Sequence, residues 1–211
     1  MKTILCYGDS NTWGTDPAGK GRFERDERWP GVLRQALGEG YLVIEEGLGG
    51  RTTVWDDPIE GYKNGKEYLI PCLNTHKPLD LAIILLGTND LKHRFSLTSF
   101  DIAQGAGVLV DLVQNSRTGR NNGVPRVLLL APPPLATLNV VFQEMFKGAG
   151  EKSRQLGRYY RQVAEERGCA FLDTANVVVS SDRDGIHLEK GEHLKLGLAV
   201  AELVRNLLAE D

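Results

Sequence analysis

Thr3-Ile4-Leu5-Cys6-Tyr7 empties without a break into Gly8-Asp9-Ser10-Asn11-Thr12-Trp13-Gly14. The first five residues have the make-up of a strand buried on both faces of a parallel sheet. If they form one, Ser10 lies just past its carboxyl end, the edge on which open α/β sheets place their ligands. Gly8 lets the chain turn sharply there and leaves room beside it. Taken alone, a serine between a strand and a helix is by preference a helix cap. Its meaning therefore depends on what the rest of the chain brings to the same edge.

Working outward, four more short apolar runs repeat the pattern: Tyr41 to Glu45, Leu81 to Leu86, Arg126 to Ala131 and Ala170 to Asp173. Apolar positions recur at three and four in Trp29 to Leu37, Phe100 to Asn115, Gly150 to Arg167 and Glu192 to Leu208, the spacing of amphipathic helices. Strand alternating with helix predicts an α/β fold of three layers, α/β/α and flavodoxin-like, around a parallel five-stranded sheet. The chain has 211 residues, a formal charge of −3 and 25% charged residues, which together suit a single domain over 1–211.

Composition also narrows the function. The slightly acidic balance, with no Lys/Arg stripe, argues against nucleic acid as a partner. No stretch approaches the ~20 apolar residues of a membrane helix, and Met1-Lys2 leads into the first strand without a leader pattern, so the expected place is the cytoplasm and no membrane partner is expected. Cys6, Cys72 and Cys169 are widely spaced and read as reduced, buried thiols. His76, His93, His187 and His193 show no ligand spacing, so neither a metal nor another cofactor is implied.

Two connections are longer than the fold requires, and both leave the carboxyl side of a strand. Asp56 to Gly65 is rich in Gly, Asp and Lys and reads as a surface excursion. Pro132 to Phe146 begins with three prolines and carries Leu135, Leu138, Val140, Val141, Phe142, Met145 and Phe146, apolar surface that something must cover. The body of the domain, a substrate cleft or a second subunit can each supply that cover; a cleft combined with a contact between subunits of a homo-oligomer is the reading set against simple core packing.

The other strand ends supply partners for Ser10. Gly49 and Gly50 follow the second strand, and a bare backbone N–H there can donate to an oxyanion. Asn89, after the third strand, carries a second donor, although each of these turns has a purely local reading as well. Asp184-Gly185-Ile186-His187 places an acid three residues before a base. The bend at Gly185 lets the carboxylate reach imidazole Nδ1 and turn Nε2 outward, the tautomer a general base needs. A nucleophile, a base, an acid and two donors on one sheet edge are a coincidence that the local readings do not predict.

These residues resemble the SGNH (GDSL-type) hydrolases. Gly8-Asp9-Ser10 matches that family's nucleophile block, the glycine pair its second, Gly87-Thr88-Asn89-Asp90 its third and Asp184-Gly185-Ile186-His187 its fifth. The resemblance implies the SGNH-hydrolase fold, with Ser10 as nucleophile and Asp184 and His187 as acid and base. It also implies an oxyanion hole built from the Ser10 N–H, the Gly50 N–H and the Asn89 side chain. Gly50 rather than Gly49 is implied because the family's donor directly precedes a polar residue and paired threonines, here Arg51-Thr52-Thr53.

Trp13-Gly14, Glu45-Glu46-Gly47-Leu48 and Pro132-Pro133-Pro134-Leu135 are similar to the arylesterase and acyltransferase branch of the family. That likeness implies a small ester substrate, water or an alcohol as acceptor, and self-association. Trp13, Phe142, Phe146 and Ile186 are the expected apolar walls. A thioesterase or carbohydrate deacetylase would use the same residues. A non-catalytic flavodoxin-like ligand-binding module is a further alternative, weakened by the lack of a Walker loop or a Gly-x-Gly-x-x-Gly fingerprint after the first strand.

Overall fold

The structure, a computed structural model, describes residues 1–209. Its five strands are β1 (Lys2–Gly8), β2 (Tyr41–Gly47), β3 (Leu81–Leu85), β4 (Arg126–Ala131) and β5 (Ala170–Asp173). All pair in parallel, in the order β2-β1-β3-β4-β5. The strand order reverses at β1, so the crevice at the carboxyl ends of β1 and β3 is the topological switch point where this architecture receives ligands. Gly8 pairs with Gly47 on one side and Leu85 on the other, which brings three strand ends together at one level.

Alternation along the strands divides the core. Leu5, Tyr7, Ala82, Ile84, Val127 and Leu129 face one layer of helices, formed by α3 (Gly65–His76), α4 (Ser99–Gln114) and α6 (Ala149–Arg167). Ile4, Cys6, Leu81, Ile83, Leu128 and Leu130 face the other, formed by α2 (Trp29–Leu37) and α7 (Lys190–Leu208). The remaining helices, α1 (Ser10–Trp13) and α5 (Val140–Met145), are short and stand at the carboxyl edge.

Helix α3 is absent from the sequence reading, which ends the preceding loop at Gly65 and assigns nothing after it. Gly65 opens the helix and Pro71 sits inside it, both poor helix signals, yet Asn64 caps it by accepting the Lys66 N–H at 3.0 Å. Leu69, Cys72 and Leu73 bury its inner face.

The apolar content of Pro132 to Phe146 divides between destinations. Leu135 and Phe146 are buried in the core, Phe142 and Met145 are half-buried, and Val140 and Val141 remain 84% and 71% exposed. Cys6 and Cys72 are buried free thiols as expected, whereas Cys169, just before β5, is only half-buried against the core. No helix among the described residues is long and apolar enough to cross a membrane.

Candidate active site

The Gly8-Asp9-Ser10 block is shaped by a tight approach of backbones. A Cβ on Gly8 would stand 2.0 Å from Thr12 Oγ1 and 2.8 Å from the Leu85 carbonyl oxygen, so only glycine fits between β1, α1 and β3. Asp9 caps α1, its Oδ1 accepting the Asn11 N–H at 2.9 Å. Ser10 is thereby held at the first position of the helix, mostly buried, with Oγ 3.0 Å from His187 Nε2.

The Asp184 to His187 loop is folded around one carboxylate. Asp184 Oδ1 accepts the N–H groups of Ile186 and His187, each at 2.9 Å, and Oδ2 lies 2.6 Å from His187 Nδ1. Gly185 takes the bend at φ +86°, where a Cβ would meet the Thr137 carbonyl oxygen at 2.7 Å. Burial alone would raise the Asp184 carboxyl, but the His187 hydrogen bond and the two amides outweigh it and hold the group below the ordinary carboxylate value.

One positioning residue escapes the sequence reading. Asn11 Oδ1 accepts the Leu188 N–H at 3.0 Å, and its Nδ2 donates to the Ile186 carbonyl at 3.4 Å. The residue after Ser10 thus clamps the backbone on both sides of His187. An asparagine following a serine carries no signal of this in sequence, because the contact spans 177 positions.

On the other side, Gly49 and Gly50 line the same cleft as Ser10, Asn89 and His187. The two glycines differ. Gly50 adopts φ +80° and a Cβ there would come 2.6 Å from Glu60 Oε2, while Gly49 has open space around it. Asn89 Nδ2 donates to the Arg51 carbonyl at 3.1 Å, tying the third-strand turn to the residue after Gly50. Arg51 is buried, donates to the carbonyls of Gly8 (2.9 Å) and Glu46, and lies 4.2 Å over the Tyr7 ring. Its cation therefore staples the glycine turn to the ends of β1 and β2.

The cleft has a volume of about 310 Å³. Phe142, Phe146 and Ile186 line it as expected, joined by Met145. The Phe142 ring meets His187 edge-on at 6.2 Å and Phe146 at 5.9 Å. Trp13 is not on this lining. Its ring lies 4.8 Å beneath the Arg22 guanidinium, because α1 is a single turn that carries the side chain away from Ser10 toward the Asp16 to Glu27 loop.

Glu60 and Lys92 form a polar wall that the sequence reading did not foresee. Lys92 Nζ is buried, 2.5 Å from Glu60 Oε1 and 3.5 Å from Asp57 Oδ2, and Arg94 reaches the same two carboxylates at 2.7 and 3.1 Å. This network pins the Asp56 to Gly65 excursion against the turn after β3.

Beneath the cleft sit two buried acids. Burial pushes the Asp9 carboxyl up to about 6, against the opposing pull of the Asn11 N–H, His187 and Arg51. Asp90 is likewise raised by burial to about 6, although both its oxygens accept the Thr53 N–H at 3.1 Å and the Thr53 hydroxyl donates to it. His193 is held near 3 by burial and is a core residue: its Nδ1 accepts the Trp29 N–H at 3.3 Å.

The chain that carries this site has counterparts among known proteins. The model of the GDSL-like lipase/acylhydrolase family matches residues 6–193. The chain belongs to that family. Among solved structures, the M. smegmatis aryl esterase is 46% identical, with 99% of this chain and 100% of that one covered and a TM-score of 0.95. A carbohydrate acetylesterase from Sinorhizobium meliloti is 40% identical over 99% of this chain and 100% of its own, also at 0.95. A lipolytic G-D-S-L family protein from Veillonella parvula, 16% identical at a TM-score of 0.67 over 98% and 99%, shares the fold. No curated protein matches the chain significantly. The chain is a serine ester hydrolase of the SGNH type, with the three-layer fold expected from its sequence.

Proposed function

We propose that this hydrolase, one domain over residues 1–211, cleaves short acyl esters of small alcohols or phenols through an acyl-Ser10 intermediate. The observation that carries the reading is the continuous chain from Ser10 Oγ to His187 Nε2 (3.0 Å) and from His187 Nδ1 to Asp184 Oδ2 (2.6 Å). His187 takes the Ser10 proton as Oγ attacks the ester carbonyl, and Asp184 holds the imidazolium that results. The N–H groups of Ser10 and Gly50 and the Asn89 amide receive the oxyanion. His187 then returns the proton to the leaving alkoxide or phenoxide. Water activated by the same imidazole releases the carboxylic acid and restores Ser10.

A cleft of about 310 Å³, closed by Phe142, Phe146, Met145 and Ile186, suits an acetyl or similarly short group rather than a long chain. Its apolar wall beside His187 favours an alcohol over water often enough for acyl transfer to accompany hydrolysis. The likeness to a carbohydrate acetylesterase supports sugar acetates as a second substrate group. Thioesters are reached by the same machinery. Exposed Val140 and Val141, next to the cleft-lining face of α5, support self-association, and the buried free thiols fit a cytoplasmic enzyme.

Purified chain is expected to hydrolyse p-nitrophenyl acetate faster than the octanoate, with the acetyl group trapped on Ser10. Ser10→Ala should abolish turnover with the circular dichroism unchanged. Undiminished turnover in that variant would overturn the reading. A monomer by light scattering would overturn the self-association alone.

A further inference from the structure

A second cluster of chemistry-bearing side chains lies behind the glycine turn, away from Ser10. Cys72 and His76 are one helical turn apart on α3 and share a face of it. Glu46, the penultimate residue of β2, meets that face, with its Oε1 2.8 Å from His76 Nε2. One ligand atom from each of the three lies within 4.8 Å of the other two. We propose that Glu46, Cys72 and His76 form a binding site for a borderline divalent transition-metal ion of the zinc type.

The donor set selects the ion. Thiolate, imidazole and carboxylate together suit zinc and its neighbours, whereas magnesium and calcium take oxygen ligands. Tetrahedral zinc, with bonds of about 2.0–2.1 Å to nitrogen or oxygen and about 2.3 Å to sulfur, holds its ligand atoms roughly 3.3–3.6 Å apart. The present pair at 2.8 Å would open slightly around an ion and the sulfur would close in, movements within side-chain torsions.

Access is built in. The side chains of His76 and Glu46 are 25% and 20% exposed, and Glu46 also lines a groove of about 890 Å³ with Glu67, Asp56 and Asp57. Cys72 lies buried beneath this pair, and three protein ligands would leave a fourth position to water. Arg51 is the opposing charge nearby, but it is committed to the carbonyls of Gly8 and Glu46 and to the faces of Tyr7 and Tyr68. On binding, the metal–sulfur bond replaces the Cys72 S–H bond and the proton leaves to buffer. The other reading of the cluster is a plain Glu46–His76 ion pair over a core thiol.

The test is a titration of the full chain, purified without a histidine tag, with zinc by calorimetry and with cobalt(II) by absorption. One equivalent should bind, and cobalt should develop thiolate-to-metal charge transfer in the near ultraviolet. His76→Ala, at a part-exposed position that keeps the fold, should weaken binding by at least the roughly 10–100-fold that loss of a mere supporting partner costs. Cys72→Ser should remove the charge-transfer band, and Ser10→Ala should leave both titrations unchanged. No binding, affinity unchanged in His76→Ala, or a band surviving in folded Cys72→Ser would each overturn the proposal and leave the ion-pair reading.

Discussion

Asp9 stands between the buried end of β1 and Ser10, and replacing it by asparagine tests how the Gly8-Asp9-Ser10 block is charged. Its carboxyl is raised by burial to about 6 from an ordinary 3.8. The unfolded chain therefore releases this proton near 3.8, while the folded chain keeps it until about 6. Between those values the native state binds more protons, so this group's contribution to stability is complete below the lower value and is lost as pH rises through the upper one. The gap corresponds to roughly 3 kcal/mol. Asp9→Asn preserves the cap, because an amide oxygen still accepts the Asn11 N–H, and it does not titrate.

The amide NH2 enters a place where Asp9 Oδ2 has no hydrogen-bond partner among the described residues, which adds a penalty of about 1–3 kcal/mol at every pH. The informative quantity is thus how the stability difference between variant and parent changes with pH. Urea unfolding at intervals from pH 4 to pH 7.5 should show the variant gaining up to roughly 3 kcal/mol on the parent as pH rises. Asp90 reinforces the sign, since the Asp9 charge contributes to its raised value and removing that charge lowers it. A difference that stays flat across this range, or that favours the variant toward acid, would refute the reasoning.

Three further perturbations probe the surroundings. Asn89→Ala removes the proposed side-chain donor to the oxyanion and should lower kcat by about 10²–10³-fold, measured by steady-state hydrolysis of p-nitrophenyl acetate. Asn11→Ala leaves the buried Leu188 N–H without its acceptor; thermal unfolding should register a loss of about 1–3 kcal/mol, and kcat should fall because His187 loses its clamp. Lys92→Met strips one cation from Asp57 and Glu60 while Arg94 remains, so urea unfolding should show a loss of up to about 3 kcal/mol.

What could be read in advance follows the range of each interaction. Strands β1, β3 and β4 were legible because a strand buried on both faces is a continuous apolar run, the less buried edge strands β2 and β5 still carry short apolar runs, and the ends of all five differ from expectation by no more than two residues. Helix α3 was not, since Gly65 and Pro71 are read locally as breakers, and it is the Asn64 cap together with its seat against α4 and the sheet that stabilises it. Trp13 fails for a similar reason: which way a side chain leaves a one-turn helix is decided by the loop it meets, here Arg22.

The same distinction separates the parts of the site. Gly8-Asp9-Ser10 and Asp184 to His187 are local devices: a backbone squeeze, a cap, and a carboxylate three residues from an imidazole, each legible within a few positions. What aligns them is long-range. Asn11 grips the His187 loop across 177 positions and Arg51 joins Gly8 to Glu46 across the sheet edge, so neither has a signature in spacing. Ser10 with His187, and Arg51 with Asn89, are therefore two halves held by different clamps, which meet at the cleft and at the Gly8 carbonyl that accepts from Arg51. It follows that loosening the Asn11 clamp should disturb the base without moving the Gly50 turn. A variant at Asn11 should then lose kcat while acetate competes for the cleft with unchanged affinity; a parallel loss of both would mean that the two halves move as one.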